Sequence, residues 1–201
     1  MCRAGCNTEL TDGVMDRTAL MWAAVDGRAS MVTCLIASGC APDTQNTDGR
    51  TALMHAARVG NPKHINALLT GSTVEGTGAV AAADPNIVDA NNHTALIIAI
   101  VAHQEEAVRA LAPHTELNDS RSGFSPLIWA VNQGTLPIVQ LLLDSGACAS
   151  LVDDLAGWSA LHHSVAADNG RATVAILDAQ KQDQLEILRE VCTYSHLRAR
   201  C

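Results

Sequence analysis

Few residues of this chain are of a type and spacing that could do chemistry. His55 stands alone in the apolar run TALMHAARVG, residues 51–60, where an imidazole could be a catalytic base, a metal ligand or simply packed away. His162 and His163 are adjacent rather than four apart. A helix therefore points their rings at different faces, and they form no metal clamp. Cys2 and Cys6, with Cys34 and Cys40, lack the tight Cys-x2-Cys spacing of a zinc knuckle and have no paired histidines nearby. The stretch GSTVEGTG, residues 71–78, is glycine-rich but lacks the Gly-Lys-Ser/Thr ending that would bring a lysine to a phosphate. No Gly-x-Ser-x-Gly, kinase glycine-rich loop or His-Arg-Asp motif is present. The expectation is a chain with no catalytic residue, no metal and no cofactor, and so no enzyme.

The bulk properties narrow the classes further. With 201 residues there is enough chain for one domain with a sizeable core. The residues are 48% apolar but only 2% aromatic, so the core must be built from Ala, Leu, Ile, Val and Met, which favours close helix–helix approach. A formal charge of −8 and the lack of a basic cluster argue against nucleic-acid binding. The longest apolar run, residues 95–102, is far short of the ~18 residues of a membrane span. The N-terminal MCRAGCNTELTDG has no signal-peptide apolar region. Seven scattered cysteines, an odd count, suggest a reducing compartment. A cytoplasmic protein is expected, with nucleus and cytoskeleton left open.

The histidine run has four relatives: TALMWAAVDG from Thr18, TALIIAIVAH from Thr94, SPLIWAVNQG from Ser125 and SALHHSVAADNG from Ser159. Counting from each Thr or Ser, offset 14 holds Val32, Ile65, Val108 and Val139, and offset 17 holds Leu35, Leu68, Leu111 and Leu142. In the fifth copy the pair is expected one residue later, at Val174 and Leu177. Each copy reads as helix, turn, helix, loop. The Thr or Ser is suited to cap the first helix, Pro126 sits where a helix start tolerates it, and Gly27, Gly60 and Gly134 stand at the stops, with His103 in that place in the third copy.

These repeats resemble the ankyrin family, whose pattern is T-P-L-H-x-A-A, a second helix ending in LLL, then GADPN and a turn with Gly. TALMHAARVG, LPIVQLLLDSGA and ADPNIVDANNHTAL carry the resemblance, over roughly residues 5–177. It implies an all-α solenoid of stacked helix–turn–helix pairs with hairpin-like turns to one side. It further implies a protein-binding scaffold or adaptor that catalyses nothing. The chain departs from the pattern where the family's histidine becomes Met21, Met54, Ile97 and Ile128; only His162 matches. Those four copies are expected to use apolar packing there.

The expected organisation is a partial repeat or N-terminal cap over 1–17, five repeats over 18–177 starting at Thr18, Thr51, Thr94, Ser125 and Ser159, an inserted loop at 70–83, and a C-terminal amphipathic helix and tail over 178–201. At about 100° per residue, offsets 2, 5 and 6 face the second helix, and offsets 4, 7 and 8 face away. The second set includes Trp22, Asp26, His55, Arg58, Ile98, Trp129, Asn132, Gln133 and His163. If first helices line the concave side, as the resemblance implies, this stripe is the floor of a groove. Two readings of its tryptophans stand open: partner anchors, or packing across to neighbouring helices. The turn tips add Arg50, His93, Phe124 and Trp158, the last two immediately before an N-cap. The expected partner is another protein, bound by a monomer. The rival expectation is a targeting or regulatory segment of a larger protein, such as a kinase, whose catalytic part lies elsewhere.

Overall fold

The computed structural model describes residues 10–13, 15–26, 28–71 and 82–182. Most of the expected N-terminal cap, Gly27, most of the 70–83 insertion and most of the 178–201 helix and tail lie outside the described residues.

Short helices follow one another in pairs: α1 (Ala19–Asp26) with α2 (Ala29–Ala37), α3 (Ala52–Val59) with α4 (Pro62–Thr70), α5 (Ala95–Val101) with α6 (Glu105–Leu111), and α7 (Pro126–Asn132) with α8 (Leu136–Asp144). A 3-10 turn, Ala112–His114, extends α6. The helix α9 (Ala160–Ala166) is followed by helix over 170–182. Among the described residues no extended strand forms; only isolated bridges, Thr11 to Thr18 and Val152 to Ser159, pinch two of the turns. Helices of seven to nine residues are too short to persist alone. They persist because α1, α3, α5, α7 and α9 stack as one layer while α2, α4, α6 and α8 stack as another.

The cap positions behave as their residue types dictate. Thr18, Thr51, Thr94 and Ser125 each accept, through the side-chain oxygen, from the backbone N–H three residues on, at 3.3–3.4 Å. Ser159 differs: its N–H donates to His162 Nδ1 at 3.2 Å, and its hydroxyl lies 2.9 Å from the same nitrogen. His162 thus closes its own helix start. At the equivalent position Met21, Met54, Ile97 and Ile128 are fully buried, as apolar packing there requires. The offset-14 and offset-17 residues build the interface between the layers. Val32, Ile65, Val108, Val139, Leu68, Leu111 and Leu142 are buried, and Leu35 packs against them half-buried.

The fifth copy corrects the sequence register. Val174 and Leu177 are exposed, whereas Ile176 is fully buried. The second helix begins at 170, the same offset from Ser159 at which Pro62 begins α4 from Thr51, so no residue is inserted and offset 17 is Ile176. Offset 14 is Thr173, which spends its hydroxyl on Asn169 O and on the buried Ser164.

Where a first helix stops, the backbone turns left-handed, with φ 84° at Gly60 and 71° at Gly134. His103 takes this conformation with a side chain, φ 56°. A β-carbon makes that region costly for an L-residue. His103→Gly is therefore expected to raise stability by about 1 kcal/mol, seen as a higher urea midpoint at unchanged slope. A midpoint no higher than wild type would show that position 103 stores no strain.

Successive repeats are also tied by polar bonds between their connections. Asp43 accepts from Asp84 N–H at 2.9 Å, Asn86 from Glu116 N–H at 3.0 Å and Asn118 from Cys148 N–H at 2.8 Å. Gln45 donates to Gly49 O and, across the stack, to Val88 O. Gly49 (φ 73°) approaches the next turn so closely that a β-carbon there would lie 2.8 Å from Ala90 N.

Candidate partner-binding site

Each first helix is entered through a tight turn, and in four of the five the turn is organised by one acidic or amide side chain. Asp12 Oδ1 accepts from the N–H groups of Met15 and Arg17. Asn46 accepts from Asp48 and Arg50, Asp89 from Asn91 and His93, and Asp153 from Leu155, Ala156 and Gly157. In these four turns the organiser's own N–H donates to the carbonyl of the residue before the cap. The sequence reading missed these organisers. Their signal was present, an Asp or Asn five or six residues ahead of the Thr or Ser cap.

The turns and first helices bring several of the expected contact residues together. His93 meets Trp129 edge-on at 5.4 Å between ring centroids, Trp129 meets Phe124 at 5.7 Å, and Phe124 meets His163 at 5.6 Å. His163 in turn meets Trp158 at 5.6 Å, and Trp158 stacks on His162 at 6.4 Å. Edge-to-face rings at these distances are mutually stabilising. The row is fixed from beneath: Trp129 Nε1 donates to Ser122 Oγ at 2.9 Å, and His163 Nε2 lies 2.7 Å from Asp153 Oδ2. Backbone N–H bonding, above all from Ala156, and then the His163 contact pull the Asp153 carboxyl down to about 2. Trp158 remains 42% exposed at the end of the row. There it walls an open pocket of about 350 Å³ with Leu161, His162, Val165 and Ala166.

The first half of the stripe is built differently. Trp22 is 44% exposed, its indole N–H on Asp12 Oδ2 at 3.3 Å and the Arg17 guanidinium 5.2 Å above its ring. Arg58, Asp26 and Asn132 are exposed, while Arg50, His93 and Gln133 are half-buried. His55 and Ile98 depart from the expectation of an open floor, with only 2% and 8% of their surface exposed. In the middle of the stack offset 4 lies between two neighbouring first helices, which cover it from both sides; Trp22 has no such helix on its outer side among the described residues. His55 therefore lies under the surface rather than on it, and both its ring nitrogens lack a hydrogen-bond partner. Burial, reinforced by the charges of Arg17, Arg58 and Arg50, holds its pKa at about 4. His64, by contrast, is buried but matched, with Nδ1 3.1 Å from Ala24 O.

Among the described residues no three His, Cys, Asp or Glu converge in a way that could hold a metal ion. No helix described is long and apolar enough to cross a membrane.

The family model for ankyrin repeats in three copies matches residues 1–77, 75–153 and 117–184. The chain belongs to the ankyrin-repeat family. The stacked pairs and their turns are an ankyrin stack, and proteins with similar stacks include long ones. The B-cell lymphoma 3 protein homolog of Mus musculus is 34% identical over 149 residues, which cover 73% of this chain and 32% of that protein. A glycerophosphocholine phosphodiesterase of Candida albicans is 33% identical over 115 residues, 56% of this chain but 9% of the enzyme. The chain thus spans a third or less of the length of these curated relatives. The solved ankyrin repeat domain of Bcl-3, a member of the IkappaB protein family, superposes with a TM-score of 0.77 at 26% identity, over 87% of this chain and 75% of that one.

Proposed function

We propose that this ankyrin stack is a non-catalytic protein-interaction module, a scaffold or adaptor, which holds its partner along the face shared by the first helices and the turn tips. The observation that carries the reading is the row His93–Trp129–Phe124–His163–Trp158. The chain has one Phe and three Trp, and this row gathers the Phe and two of the Trp. Large rings clustered and partly solvated are the composition of a binding hot spot, where an anchor is half-buried before the partner arrives. The stack supplies rigidity; the residues that differ between repeats supply specificity. The scattered cysteines favour a reducing, cytoplasmic setting, and a monomer is the form proposed.

A photo-crosslinking phenylalanine analogue at position 124 or 158, compared with one at the exposed Gln140 of α8, tests this in the host cell. The same partner should be trapped from 124 and from 158 and not from 140. Trapping only from 140, or equally from all three, would remove the reading.

A second reading has one specific observation in its favour. In the phosphodiesterase of Candida albicans the similar region is 9% of a long enzyme. On this reading the stack is the targeting or regulatory segment of a larger protein, such as a kinase, whose chemistry lies elsewhere.

A further inference from the structure

The two ends of the stack are not equivalent. Ala24, Ala57, Ile100 and Val131 share offset 6 of their copies, and each is fully buried at 0% exposure. Val165, at the same offset in the fifth copy, is 64% exposed. Offset 18 behaves alike, with Ile36 at 0% in the first copy and Leu177 at 39% in the fifth. So does offset 3, where Met21 is buried and His162 is open. Among the described residues the first copy has no preceding helix pair and the fifth has no following one. What covers these three offsets is therefore the next repeat in the chain.

In the fifth copy that surface is left as an apolar end face. The pocket of about 350 Å³ between Trp158, Leu161 and Val165 opens on it. Val174, one helical turn from Leu177, enlarges it. This valine is 58% exposed, whereas the other copies carry the polar Thr33, Asn66, Arg109 and Gln140 at its offset. The copy whose end is open is thus the one with an added apolar side chain, and a solenoid end of this composition needs a cover.

The connectivity selects the occupant. In the inner copies the chain that leaves a second helix returns to lay the next first helix on this face. Residues 183–192, which lie outside the described residues, follow directly on the last second helix. Their sequence DQLEILREVC sets Leu185, Leu188 and Val191 three apart, on one side of a helix, with Asp183, Glu186, Arg189 and Glu190 around them. Ten extended residues reach about 33 Å, more than the roughly 20 Å length of the helix over 170–182. A segment tethered beside the face is present at roughly millimolar effective concentration, which favours it over a second copy or a separate partner.

We propose that residues 183–192 fold back over the end face of the fifth repeat as a helix, seating Leu185, Leu188 and Val191 against Val165, Leu177 and the pocket beside Trp158. The stack is thereby closed by its own chain, whatever partner it holds.

Hydrogen–deuterium exchange of the full chain, read by mass spectrometry, tests this with V165D, L185D/L188D and E186Q. In the wild type the amides of 185–192 should exchange at least about tenfold more slowly than in an unstructured chain, and equally so in dilute and concentrated protein. V165D alters a side chain already open to solvent, so exchange in α7 and α8 should not change, while 185–192 should lose its protection. L185D/L188D should unprotect the segment and also speed exchange over 160–166. E186Q should do neither. Unprotected 185–192 in the wild type would overturn the closure. So would protection that survives V165D, which would mark a helix that does not touch the stack. Unchanged exchange of 160–166 in L185D/L188D, a variant that leaves the repeats themselves intact, would overturn it equally. Protection that appears only on concentrating the protein would assign the face to a second copy and refute the proposal.

Discussion

Replacing Asp89 with alanine is expected to destabilise the stack by about 2–4 kcal/mol. Asp89 is 4% exposed, and its carboxylate accepts from the Asn91 and His93 N–H groups, both at 2.9 Å. It also faces Arg50 Nε at 3.5 Å and His93 Nδ1 at 3.9 Å. Alanine leaves two backbone donors without acceptors in a buried turn and strands the guanidinium of the preceding repeat. Asparagine retains the Oδ1 acceptor and loses only the charge, and it already serves in the second turn as Asn46. D89N should therefore cost about 1 kcal/mol. Urea denaturation of the two variants checks both figures. A D89A protein within 1 kcal/mol of wild type would show that the turn does not depend on its organiser.

The second large effect is a loss of stability on mild acidification, carried by His55. Its folded pKa of about 4 lies below the ordinary value of 6.5, so protonation favours the unfolded chain. The stability held by the neutral ring is complete above pH 6.5, falls as the pH drops from 6.5 to about 4, and is gone below that. The loss across this window should be roughly 2–3 kcal/mol. His55→Leu, which places an apolar side chain where the next repeat has Ile98, should remove the dependence in that window. It should also stabilise the protein by about 1–2 kcal/mol at pH 7, because two unpaired ring nitrogens no longer stand buried. Asp153 acts in a separate window. Its lowered pKa contributes stability above its ordinary 3.8 that is lost only as the pH falls towards about 2. Thermal midpoints from pH 7 to pH 3 distinguish the two. A wild-type slope between pH 6.5 and 4 that persists in H55L would assign it to other groups.

Much of this was legible in the sequence because the repeat pattern encodes local rules. A Thr or Ser that caps, a proline that starts a helix, a glycine or substitute that ends one, and apolar residues at fixed offsets each act within a turn or two. What failed depended on neighbours. His55 and Trp22 share an offset, yet one is sealed between two helices and the other stands at 44% exposure. Helical geometry gives a direction but not what the adjacent repeat places there. In the fifth copy Val174 and Leu177 imitated the interface pair because Thr173 is polar; the invariant spacing of the helix starts was the better guide. The turn organisers Asp12, Asn46, Asp89 and Asp153 were hidden in segments that composition alone marks as polar connection. The contact between Arg50 and Asp89 crosses between repeats, so no single repeat contains it.

The bonds from Asp43 to Asp84, Asn86 to Glu116 and Asn118 to Cys148 each join a connection only to the next one. Such a stack is a series of links, and tension applied along it passes through every interface in turn. Under load it would behave as a spring, lengthening by small tilts between repeats and then yielding at whichever interface is weakest. A protein anchored through this stack would then feel a pull that is capped by one interface and is not raised by adding more.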